Sequence, residues 1–77
     1  MTDAHRHAWE TVLTAMEANI NIINETIKAY LMMSSQLKVL DEVMYEMARA
    51  RVDLYSQDLV LALRMKRRVQ EMLGIIQ

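Results

Sequence analysis

The sequence predicts an all-α protein, an antiparallel helical hairpin, and three observations predict it. Turn formers are nearly absent from the 77 residues, with no proline and one glycine, whereas β hairpins and sandwiches need turn chemistry every ~8–12 residues. Leu, Ala, Met, Glu and Arg, all good helix formers, dominate instead. Apolar residues also recur at alternating steps of four and three through both halves of the chain, which is one stripe of a helix held in phase.

Two helices follow from this pattern, over residues 3–33 and 37–73. In the first, Trp9, Leu13, Met16, Ile20, Ile23, Ile27 and Tyr30 form the apolar stripe. Glu10, Thr14, Glu17, Asn21, Glu25 and Lys28 form a polar stripe opposite it. Asn19-Ile20-Asn21-Ile22 alternates like a strand, but so short a strand has no partner to pair with. In the second, Tyr45, Ala48, Val52, Tyr55, Leu59, Ala62, Lys66, Val69, Leu73 and Ile76 keep the same steps. Lys66, the one polar member, can lay its aliphatic stem along the stripe and keep its ammonium in water. Ser34-Ser35-Gln36 is the expected turn, since serine caps helix starts. A competing break at residues 53–58, with Ser56 as cap, would give three helices, but the stripe passes through Tyr55 and Leu59 in phase. Gly74 suits a C-terminal cap. Lys38/Glu42, Arg49/Asp53 and Arg67/Glu71 have the spacing of supporting ion pairs.

The second helix is wider than one partner can cover. Leu40, Met44, Met47 and Leu54 continue through Leu61, Met65, Met72 and Ile75 as a second apolar stripe on a neighbouring face. Arg51 and Asp58 fall on that stripe seven residues apart and are expected to form salt bridges at the edge of an interface. A single domain, residues 1–77, of this size buries only about 60% of its unfolded surface when alone. Its usual supports are disulfides, a metal or a partner, and the chain has no cysteine. The expectation is a four-helix bundle, made by dimerisation or by clamping a partner's helix, with the eight residues of the second stripe as the interface. Eight methionines suit either gap filling in a bundle core or a groove that accepts varied helices.

Chemistry has little support. Nine basic and ten acidic side chains give a net charge of −1, so no global attraction to polyanions exists. His5, His7 and Glu10 lie together at an exposed helix start; no metal, cofactor or small-molecule substrate is expected. Glu42 and Glu46 share a face, but it is the polar one. No glycine-rich phosphate loop and no cysteine nucleophile occur, so no catalytic residue is assigned. The local basic cluster of Arg64, Lys66, Arg67 and Arg68 is a candidate nucleic-acid contact, although cations near a helix C-terminus also complement its dipole. The longest apolar runs, Ala29 to Met33 and Leu59 to Leu63, are five residues long, against about 20 for a membrane span. With no apolar leader at Met1, a cytoplasmic location away from membranes is the expectation.

In size and predicted shape the chain is similar to short helical-hairpin co-chaperones of bacterial secretion systems, and to hairpin dimers that regulate plasmid or phage genes. The first resemblance implies a non-enzymatic adaptor or chaperone that self-associates as a homodimer or binds a partner's amphipathic helix. The alternative is a dimeric nucleic-acid-binding regulator that uses the Arg64–Arg68 cluster.

Overall fold

Two helices joined by one residue make up the protein. The structure is a computed structural model and describes residues 1–75. Helix α1 spans Asp3–Leu40 and helix α2 spans Glu42–Leu73, packed side by side as a hairpin. Thr2 starts α1: its Oγ1 accepts from the His5 N–H at 3.2 Å, and Asp3 sets a negative charge at the positive end of the helix dipole.

The turn lies seven residues beyond the expected start of the loop. The boundaries 3–33 and 37–73 are corrected here, because α1 runs unbroken through Ser34-Ser35-Gln36. Serine and aspartate are about equally good caps, so packing makes the choice. Counting on from Tyr30 in steps of four and three reaches Ser34, then Leu37, then Asp41. Ser34 is only 4% exposed, and its Oγ donates to the Leu31 carbonyl at 2.9 Å. Its hydroxyl is therefore satisfied inside the helix, and its small side chain fills a position between the helices. A break at Ser34 would strand Leu37 outside. At Asp41 the next position is polar and nothing is lost by stopping.

Asp41 serves both helices. Its backbone is extended, at φ −158° and ψ 109°. Its N–H donates to the Leu37 carbonyl at 2.9 Å, and its Oδ1 accepts from the Met44 N–H at 3.1 Å. From there α2 continues without a break through residues 53–58, so two helices form rather than three. Gly74 ends it at φ 74°. The Gly74 N–H reaches the Glu71 carbonyl at 3.1 Å and the Ile75 N–H reaches that of Gln70 at 3.0 Å, a Schellman closure that needs the left-handed conformation glycine adopts freely.

Every described member of the two stripes is buried or half-buried, Lys66 included; Ile76 lies outside the described residues. Leu13, Val69 and Leu73 form the tightest cluster, with Trp9 and Met16 packed against it. Midway, Tyr30 and Tyr55 stack with ring centroids 5.8 Å apart and planes at 25°, worth about 0.5–1.5 kcal/mol beyond the area buried. The molecule is one layer thick, 56 × 17 × 14 Å. Its radius of gyration is 17.1 Å, where a compact 77-residue domain would have about 11.5 Å.

Candidate interaction surface

The two long sides of this layer differ in chemistry. Next to the α2 stripe, on one flank, come Met44, Met47, Leu54, Leu61, Met65 and Met72, with Leu40 and Ile75 at the ends. All eight are exposed, Met47 by 63% and Leu61 by 56%. On the other flank of α2 stand Glu42, Arg49, Ser56 and Gln70, with Glu46, Asp53 and Arg67 beyond them, and only the exposed Val60 and Leu63 interrupt this polar side.

Sequence reasoning missed the contribution of α1 to the apolar side. Three shallow clefts run along it between the helices. Near the turn, Met33 of α1 meets Met44, Met47 and Arg51 of α2 around about 220 Å³. In the middle, Asn19, Ile22 and Thr26 face Asp58, Leu61 and Met65 around about 480 Å³. At the open end, Trp9 and Met16 face Met65, Arg68 and Met72 around about 360 Å³. Met65 borders the middle and open-end clefts, which therefore join, and the cleft near the turn continues the same side of the hairpin as one trough. The α1 wall reads Ala8, Val12, Ala15, Asn19, Ile22, Thr26, Ala29 and Met33, again in steps of four and three. That spacing was available in the sequence, but small and polar members hide it. Only the pairing of α1 with α2 shows that this flank joins the apolar flank of α2. Thr26 blunts its own polarity by donating its hydroxyl to the Ile22 carbonyl at 2.8 Å.

Charge bordering the trough on α2 is confined to Arg51, Asp58, Arg64 and Arg68. Among the described residues no ion pair reaches Arg51 or Asp58. Of the anticipated supporting pairs, Arg67–Glu71 closes at 3.3 Å. Lys38 and Glu42 are parted by the break at Asp41, and no ion pair joins Arg49 to Asp53. Lys28 and Glu25 pair at 3.3 Å on the polar side.

The basic cluster is spread around the helix rather than gathered. Lys66 is half-buried between the helices, Arg64 and Arg68 edge the apolar trough at its open end, and Arg67 stands on the other flank. Glu71 lies 3.3 Å from Arg67 and 4.0 Å from Arg68. At the N-terminus the His5 ring meets Thr2 Oγ1 at 3.3 Å. Among the described residues no three His, Asp or Glu side chains gather as metal ligands, and no helix is long and apolar enough to cross a membrane.

No protein-family model, curated protein or solved structure matches this chain. The surface chemistry therefore carries the functional reading alone.

Proposed function

We propose that this chain is a non-enzymatic protein–protein interaction module, a small cytoplasmic adaptor or chaperone-like hairpin whose apolar side self-associates or takes up a partner's amphipathic helix. One observation carries the reading: a side of the hairpin, contributed by both helices, is predominantly apolar and its large side chains are exposed. Soluble monomers rarely expose contiguous apolar patches beyond a few hundred Å², and a helix laid into such a groove is a recurrent mode of recognition. Catalysis, cofactors and small-molecule substrates have no place in this reading. A nucleic-acid role finds less support, because Lys66 is half-buried between the helices, Arg67 lies on the flank away from Arg64 and Arg68, and Glu71 offsets two of the four cations.

Leu61→Asp tests the proposal. It puts a carboxylate in the middle of the trough while leaving the residues between α1 and α2 intact. The expected outcome is at least about 100-fold weaker self-association or partner binding, since an unpaired buried charge costs several kcal/mol. Circular dichroism should show that the helices remain. The reversal Arg67→Glu, on the flank away from the trough, should leave association unchanged. If that reversal instead abolishes salt-dependent binding to duplex DNA or RNA while Leu61→Asp is silent, the regulator takes over.

A further inference from the structure

Arg51 and Asp58 specify what covers the trough. Both stand on the apolar flank of α2 between Met44 and Met65, and among the described residues neither has an ionic partner. Around Arg51 the cleft offers Tyr30, Met33, Leu37, Met44 and Met47, with no carboxylate. Around Asp58 it offers Asn19, Ile22, Thr26, Leu61 and Met65, with no cation. An apolar helix laid over this flank would desolvate both charges without replacing their water, which opposes binding. The occupant must therefore present an acid opposite Arg51 and a base opposite Asp58, seven residues or about 10.5 Å apart along the helix. The α2 helix of a second copy, run antiparallel, has that spacing and that order.

We infer that the chain forms an antiparallel homodimer, a four-helix bundle whose two-fold axis crosses α2 midway between Arg51 and Asp58, so that Arg51 of each copy pairs with Asp58 of the other. This rests on the interaction-module reading and names its partner. The other symmetric way to stack two layers, with the axis along the helices, sets α2 over α1. The α1 wall from Ala8 to Met33 carries no charge, so that arrangement leaves both ions unpaired.

The rest of the flank agrees with the chosen register. Counting outward from the axis, Leu54 meets its own copy, Met47 meets Leu61 and Met44 meets Met65. The Tyr30–Tyr55 stack fixes the part of α1 that lies level with the axis. It brings Ala29 to the centre, where a small side chain lets the two α1 helices approach. The area is also of the right size. The hairpin exposes 5939 Å², whereas a folded monomer of 9.0 kDa exposes about 4,850 Å². That excess of about 1,100 Å² compares with the ~800 Å² that each partner contributes to a standard interface.

Sedimentation equilibrium on the full chain, with circular dichroism alongside, tests the register by charge exchange. The wild type should have twice the 9.0 kDa chain mass, 18 kDa. Arg51→Asp and Asp58→Arg should each weaken the dimer about 100-fold or more, because like charges then meet twice across the axis. Mixed in equal amounts, the two variants should form a heterodimer within about tenfold of wild-type affinity, because both contacts become Asp–Arg again. Should the single variants unfold alone, the mixture must recover both mass and helicity. Single variants that dimerise like the wild type, or a mixture that fails to recover, overturn the register and leave the apolar trough standing. A wild type that stays monomeric at every soluble concentration overturns the homodimer, and a foreign helix then remains as the occupant. A wild-type dimer that Leu61→Asp leaves unchanged sinks the trough itself.

Discussion

Asp41 and Ser34 show how much one side chain decides in a chain without proline. Both residue types cap helices, and local preference barely separates them. In the fold Asp41 holds the Met44 N–H, while Ser34 bonds back to Leu31 within α1. Asp41→Ala should cost about 1 kcal/mol in urea unfolding, with Asp41→Asn restoring most of it. Ser34→Ala should change stability by less than about 0.5 kcal/mol, because alanine fits the same space and is the better helix former. A cap at Ser34 would reverse that order. The hairpin's existence was thus legible in the sequence, but its turn was not. Ser34-Ser35-Gln36 looks like a loop until Leu37 is counted as part of the stripe.

At the scale of elements, the facing stripes were legible almost residue by residue. A helix that packs along its whole length must repeat its apolar positions in phase with its own turn. Seam positions and outward ones should accordingly respond differently to the same change. Ala48 is 5% exposed, and Ala48→Leu should destabilise the hairpin by about 1–3 kcal/mol through overpacking. Ala50→Leu, two residues on and exposed, should stay within about 0.5 kcal/mol. Thermal melts of both variants under the same conditions make the comparison. The trough was half legible. Large residues announce the α2 flank, whereas Ala8, Ala15 and Ala29 on α1 also occur on any solvated helix surface.

The whole molecule is a single layer, and this governs its stability. Among the described residues no side chain is fully buried, and the buried apolar residues form a line rather than a volume. A second layer would convert the trough into a core. Folding and association would then be linked, so the melting temperature must rise with protein concentration. Melts spanning about a hundredfold in concentration should show an upward shift of several degrees. A melting temperature independent of concentration would identify a hairpin that is stable by itself.

By itself the sequence determined the helical class, the phase of both stripes and the excess apolar width of α2. Each depends on periodicity within one helix, which local spacing records directly. Only the tertiary structure decided where the chain turns, and that the small-residue flank of α1 lies beside the methionine-rich flank of α2. Those outcomes depend on which sides of two antiparallel helices come together, and spacing along a single helix carries no information about its neighbour. The lone charges Arg51 and Asp58 acquire their meaning in the same way. In the sequence they interrupt a stripe, but on a one-layer hairpin they are ions that its uncovered side leaves without ionic partners among the described residues.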